Sequence, residues 1–242
     1  MSSNDRPGKR RRLRIMAAAV VAWAVLAYLL APQAWKLFYA AHGPFEGVAR
    51  VTQTSDGHPG DPINLAIVAE PATLVRAMAA SGWYAADPIT LESSLRIAAD
   101  SVLRRADDQA PVSALYLFGR KQDLAFEQPV PGGPRHRHHV RFWKWSELRD
   151  GRPVWFGAGT YDERAGLIYT TGQITHHIAP DVDAERVRIV AELQAKGLVQ
   201  SVEWKADFHA LREGRNGGGD PGRTDGRLAI VLLRPASPPA PQ

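Results

Sequence analysis

The sequence contains no cysteine. Disulfides, zinc–thiolate centres, iron–sulfur clusters and thiol nucleophiles are therefore excluded, whichever side of a membrane the chain occupies. Several linear signatures are also missing. There is no G-x-x-x-x-G-K-[ST] and no H-E-x-x-H, and the lack of a G-x-S-x-G elbow counts against an α/β-hydrolase. The glycine-rich run Gly217–Gly222 leads into a strand pattern rather than a helix. A phosphate cradle needs a helix N-terminus, so this run is expected to be a flexible loop and turn. No cofactor is expected, and no internal repeat is visible.

Charge is missing from two places. Residues 1–14 set six basic side chains (Arg6, Lys9, Arg10, Arg11, Arg12, Arg14) against Asp5, which accounts for the whole net charge of +5. The other 24 of the 30 basic residues and 24 of the 25 acidic residues balance in the rest of the chain. A neutral body offers no general field for a phosphate backbone, so nucleic acid is not expected as a partner. The second gap is Ile15–Trp35, 21 residues without a charge. A helix of that length spans ~30 Å, the thickness of a bilayer core. Trp35, Phe38 and Tyr39 follow as an interfacial belt would. Cleavage after Ala31 or Ala34 would place Leu29 or Pro32 three positions back, which is poor for a signal peptidase. The segment is read as an uncleaved signal anchor. The basic excess before it puts the N-terminus inside and the domain outside a cytoplasmic (inner) membrane.

The expected organisation is a basic tail over 1–14, a transmembrane anchor over 15–35, a linker over 36–60, an α+β domain over 61–233 and a disordered proline-rich tail over 234–242. Gly and Pro interrupt every period through 42–62, which supports the linker. Strand-like runs occur at Ile63–Ala69, Val112–Phe118, Leu124–Glu127, His138–Trp145, Pro153–Tyr161, Gly166–Thr171, Leu198–Ala206 and Arg227–Leu233. Turns are expected at Asp150-Gly151 and Asp162-Glu163. Helical spacing marks Ala72–Ala80, Leu91–Arg105 and Asp183–Lys196. Strands in runs with segregated helices predict an α+β fold with a largely antiparallel sheet, preceded by one transmembrane helix.

Two histidine clusters carry the candidate chemistry. In the first, His136 and His138 share one face of a strand with Val140 and Phe142, while His139, Arg141 and Trp143 point the other way. The second is His176-His177, which runs into Asp181, Asp183 and Glu185 at a helix start, where acids complement the dipole. Asp162 is most simply a turn residue. Three roles are open to the histidines: structural pairing, an anion site shared with arginine, or a transition-metal site. Arginine beside them counts against a metal, and none is assigned. The anion-binding candidates are His138, His139, Arg141, His176, His177 and Asp162.

The strings DPINLAIVAE, SGWYAAD, PVSALYLFGRKQDLAFE, RHHVRFWKW, VWFGAGTYD, THHIAPDVDAERV and TDGRLAIVLL, taken in order, resemble the LssY-type C-terminal domain over roughly residues 61–233. The resemblance implies a bacterial envelope domain, found behind a membrane helix or fused to multi-pass proteins of the lipid-phosphatase kind. It supplies extent and membrane context but no mechanism. The expected function is a single-pass, membrane-anchored protein whose outer domain binds or hydrolyses an anionic, phosphate-bearing envelope molecule. The alternative is a non-catalytic interaction module of an envelope complex. Expected partners are the membrane, an envelope lipid or anionic small molecule, and a membrane protein.

Overall fold

The computed structural model describes residues 7–31, 33–34, 50–86, 114–130, 136–167 and 174–235. Helix α1 (Pro7–Val25) continues through a π-helical turn, Leu26–Leu30. Proline suits the first helical position, so the helix reaches back through the basic stretch that the sequence suggested as tail. Arg11–Leu30 has a mean hydropathy of 2.1 and is long and apolar enough to cross a membrane. The expected helix Leu91–Arg105 lies outside the described residues, as do the end of the anchor and 236–242.

Fourteen strands follow among the described residues. The large sheet holds β3 (Leu65–Val68), β4 (Tyr84–Ala85), β7 (Leu124–Pro129), β8 (Arg137–Arg149), β9 (Arg152–Leu167), β10 (Ile174–Ile178), β11 (Val199–Lys205) and β14 (Leu228–Leu233). Its order is β11-β14-β3-β9-β8-β7-β4, with β10 beside the far end of β9. All its pairings are antiparallel except β3 with β14. A smaller sheet, ordered β2-β1-β5-β6, is built from β1 (Val51–Thr54), β2 (Pro59–Pro62), β5 (Leu115–Leu117) and β6 (Arg120–Lys121). β12 (Glu213–Arg215) and β13 (Pro221–Arg223) form a hairpin. The α+β, largely antiparallel class read from the sequence is the one observed.

Two local expectations fail. β1 and β2 lie in the stretch suggested as linker: Thr52 is fully buried, and its hydroxyl donates to the Asp61 carbonyl at 2.9 Å. Strands this short, one of them the PGDP of β2, carry no period, and β5, the second partner of β1, is some sixty residues away. Asp162-Glu163 is not a turn, because β10 pairs with residues 162–167 and extends the ladder through them. The Gly217–Gly222 run forms a turn as expected, at the tight end of the β12–β13 hairpin, and Asp220 within it is buried. The Asp150-Gly151 turn does form, with φ of +52° and +73° suiting a two-residue hairpin.

Two helices, α2 (Pro71–Ala80) and α3 (Val182–Ala195), cover one face of the large sheet. Leu74 and Met78 of α2 and Ile189 and Leu193 of α3 pack on Leu65, Phe126, Phe142 and Val231. Each such side chain contributes ~1.5–3 kcal/mol when fully buried. The GAG of β9 permits this approach. A Cβ on Gly157 would lie 2.8 Å from Phe142 Cε1 and 2.9 Å from Leu65 Cγ, and one on Gly159 would lie 2.8 Å from Ile189 Cδ1. Asn64 joins the layers: its Nδ2 donates to the Gly159 and Val182 carbonyls at 2.8 and 2.9 Å, and its Oδ1 accepts from the Gly159 N–H at 3.0 Å. The opposite face packs Ala66, Trp143, Ala158 and Leu228 against Ile63, Leu115, Leu117 and Phe208.

Candidate functional site

Alternation along β8 sorts the first histidine cluster. His138 pairs with Tyr161 and lies on the helix-covered face with Val140 and Phe142, whereas His139 and Arg141 face the small sheet with Trp143. Beyond Trp143 and Ala158 the apolar contact gives way to a buried polar cluster. Arg141 donates to Asp61 Oδ2 of β2 at 3.0 Å, and His139 Nε2 lies 2.9 Å from Asp162 Oδ2 of β9. His176 Nδ1 of β10 lies 4.0 Å from the same Asp162 oxygen. His177, its neighbour, bonds Asp220 from the β12–β13 turn. Four strands and one hairpin turn thus feed one patch.

The two histidine clusters, 37 positions apart between His139 and His176, therefore meet on Asp162. His139, Arg141, Asp162 and Asp220 are almost fully buried, while the His176 side chain is 35% exposed and forms the solvent-facing arm. His138 does not join them. Its Nδ1 lies 2.7 Å from Glu185 Oε2 of α3, and its ring packs on Tyr161 at 4.7 Å. The acids at the start of α3 also divide. Asp181 caps the helix by accepting from the Asp183 and Ala184 N–H groups, Asp183 accepts from Thr224 Oγ1, and Glu185 turns inward to His138.

Electrostatics pushes the carboxyls of the cluster apart. Burial raises Asp61 above the usual carboxylate range, and the Arg141 guanidinium does not offset this fully. Burial also pushes Asp162 upward, but the hydrogen bond from His139 and the charges of His139, His176 and Arg141 outweigh it, so Asp162 lies below its ordinary value. The opposed shifts make Asp61 the readier of the two to take up a proton and Asp162 the readier to stay ionised. Asp162 can then orient His139 in the way a carboxylate orients a general acid or base. Among the described residues, His139 Nδ1 and Arg141 Nε are buried with no hydrogen-bond partner. On the helix side, burial raises Glu185 despite its bond to His138. No group of three or more histidine or acidic side chains arranged to hold a metal occurs among the described residues.

The sequence does not single out Asp61, Asp220 or Glu185 as site residues. Asp61 lies in a segment with no strand period, Asp220 in a glycine-rich loop, and Glu185 among acids that a helix start already explains. Their partners are 80, 43 and 47 positions away, so only the assembled sheet reveals the pairs.

No match was found among curated proteins or among solved structures. A family model described as LssY C-terminus matches residues 45–228, well over half of the chain. The match takes in the three hydrogen-bonded histidine–carboxylate pairs and the Arg141–Asp61 pair, and the chain belongs to this LssY C-terminal family.

Proposed function

We propose that this is a single-pass protein anchored in the cytoplasmic membrane, with its N-terminus inside and its domain in the cell envelope, and that the patch around Asp162 binds an anionic, phosphate-bearing molecule with uptake of a proton. The candidate spanning helix and the basic residues before it support the placement. The observation that carries the binding reading is the meeting of His139 and His176 on Asp162, on the face that also carries Arg141. Arg141 is held by Asp61, so an incoming oxyanion must take the place of that carboxylate. Asp61, buried and already raised, then takes up the proton that makes the exchange favourable. His176 supplies a donor from the exposed side.

Calorimetric titration of the full chain in detergent with inorganic phosphate and glycerol phosphate, in buffers of different ionisation enthalpy, tests this. Binding should tighten from pH 8 to pH 6, by at most about tenfold per pH unit for one linked proton. Asp61→Asn should bind more tightly and lose the proton uptake, and Arg141→Ala should lose the proton-linked binding. No binding to the parent or to Asp61→Asn at millimolar ligand would refute the reading. One observation favours the second reading, an interaction module: Arg141–Asp61 and His177–Asp220 are complete buried pairs that fasten the strands to the hairpin and to the small sheet. In that case the same substitutions lower stability and produce no ligand response.

A further inference from the structure

β3 and β14 are the parallel pair of the large sheet, and both end at one cavity of about 280 Å³. Ala69 and Glu70 enter it from the end of β3, Ala72 and Arg76 from α2, Arg152 from the start of β9, and Arg234 from beyond β14. Three arginines and one glutamate therefore contribute to its wall, Arg152 half-buried and Glu70, Arg76 and Arg234 exposed. Among the described residues, none of Arg76, Arg152 and Arg234 makes an ion pair, and Glu70 pairs with none of them. Arg152 Nη1 donates to the Leu233 carbonyl at 2.9 Å, which fixes that guanidinium against the wall.

The backbone adds to the positive character. Helix α2 starts at the cavity with proline in its first turn, and the Glu70 side chain makes no cap bond. The Thr73 and Leu74 N–H groups both return to the Glu70 carbonyl, at 2.9 and 3.0 Å. Pro71 has no N–H, and the Ala72 N–H has no backbone acceptor among the described residues. The cavity thus combines arginines that no acid among the described residues pairs with and the positive end of a helix.

We propose that this cavity binds a phosphomonoester dianion, free or carried on a lipid headgroup. An excess of two positive charges matches a dianion, and guanidinium forks pair with two phosphoryl oxygens at once. Ala69, Ala72, Leu233 and Pro235 provide apolar wall for the carbon stem of the ester. The site is separate from the Asp162 patch. Arg152 and Asp162 are ten residues apart on one strand, β9, which is roughly 33 Å at the rise of an extended chain.

The test uses the full chain in detergent micelles, titrated with glycerol phosphate at pH 7.5. Arg76→Gln combined with Arg234→Gln should weaken one component of the binding at least tenfold, while the proton-linked component that needs Arg141 stays. Glu70→Gln removes the cavity acid and should tighten binding several-fold, a gain that a misfolded protein would not show. Phosphatidic acid mixed into the micelles should displace glycerol phosphate if the headgroup is the natural source, with phosphatidylcholine as control. If it does not displace, the ligand is a free phosphomonoester. Binding unchanged by the double substitution, or absent at millimolar ligand in both the parent and Glu70→Gln, would overturn the proposal. Loss of all binding in Arg141→Ala alone would assign the ligand to the Asp162 patch and would also overturn it.

Discussion

Replacing Asn64 with alanine would remove three hydrogen bonds that link β3, β9 and the start of α3. Asn64 is 1% exposed, so water is not at hand to replace them. Two carbonyls and one N–H would remain buried, and at ~1 kcal/mol net per bond the loss is about 3 kcal/mol. For a domain of 150–250 residues this lowers Tm by about 6–12 °C. Asn64→Asp keeps the shape and still accepts from the Gly159 N–H, but it turns a second oxygen toward the Gly159 and Val182 carbonyls. An unpaired charge so buried should cost ~3–5 kcal/mol at pH 7.5. The sign of its pH dependence follows from the environment. The introduced carboxyl has its folded pKa raised above the unfolded value of ~3.9, so the penalty is full above the folded pKa and fades as pH falls through it. Protonated, the group donates to one of the two carbonyls. Near-ultraviolet circular dichroism reports the domain without interference from a persistent membrane helix, because Trp83, Trp143 and Trp155 are buried in it. A Tm for Asn64→Ala within about 1 °C of the parent would refute the reasoning, as would a loss in Asn64→Asp that does not shrink on acidification.

Gly157→Ala should destabilise by ~1–3 kcal/mol, because its new methyl meets the Phe142 ring and the branch carbon of Leu65. Gly159→Ala should cost less, since the terminal methyl of Ile189 can give way; thermal melts giving the reverse order would be inconsistent with the packing. His209 is buried, which holds it below its ordinary value despite the 2.7 Å bond from Nε2 to the Ile63 carbonyl. The unfolded chain then binds the proton more readily, so stability should fall as pH drops through the unfolded value of ~6.5 toward the folded one, by at most ~1.4 kcal/mol per pH unit. His209→Gln should remove that part of the slope in denaturant titrations at pH 7.5 and 5.5, and an unchanged slope would assign it elsewhere. Protease added to intact spheroplasts should digest the domain and spare the basic N-terminus; protection of the domain would reverse the proposed orientation.

Much of the fold is written locally. The uncharged run as far as Leu30, the period of α2 and α3, the Asp150-Gly151 turn and the β-rich runs of β3, β8, β9 and β14 all correspond to described elements. In each, the signal and the interaction are close in sequence: a helical face repeats every three or four residues, and a two-residue hairpin is set by its own φ values. Alternation along β8 likewise puts His139 and Arg141 on the face opposite His138, since that follows from the pleat alone.

Sequence alone determined the membrane-type helix, the α+β class, the faces of β8 and the residue types available for chemistry. Only the tertiary structure decided which of those residues meet. β1 and β2 pair as a hairpin, and β1 is held in a sheet because β5 pairs with it from a distance. Asp162 became a mid-strand residue because β10 returns alongside it, and that return also delivers His176. The partners of Arg141, His138 and His177 come from a β2 strand without period, a helix start and a glycine-rich turn. A buried charge is tolerated only with a counter-charge, but that requirement does not say where in the chain the partner lies. Pairings across 43 to 80 residues are set by how sheets and helices stack, which is a property of the whole chain.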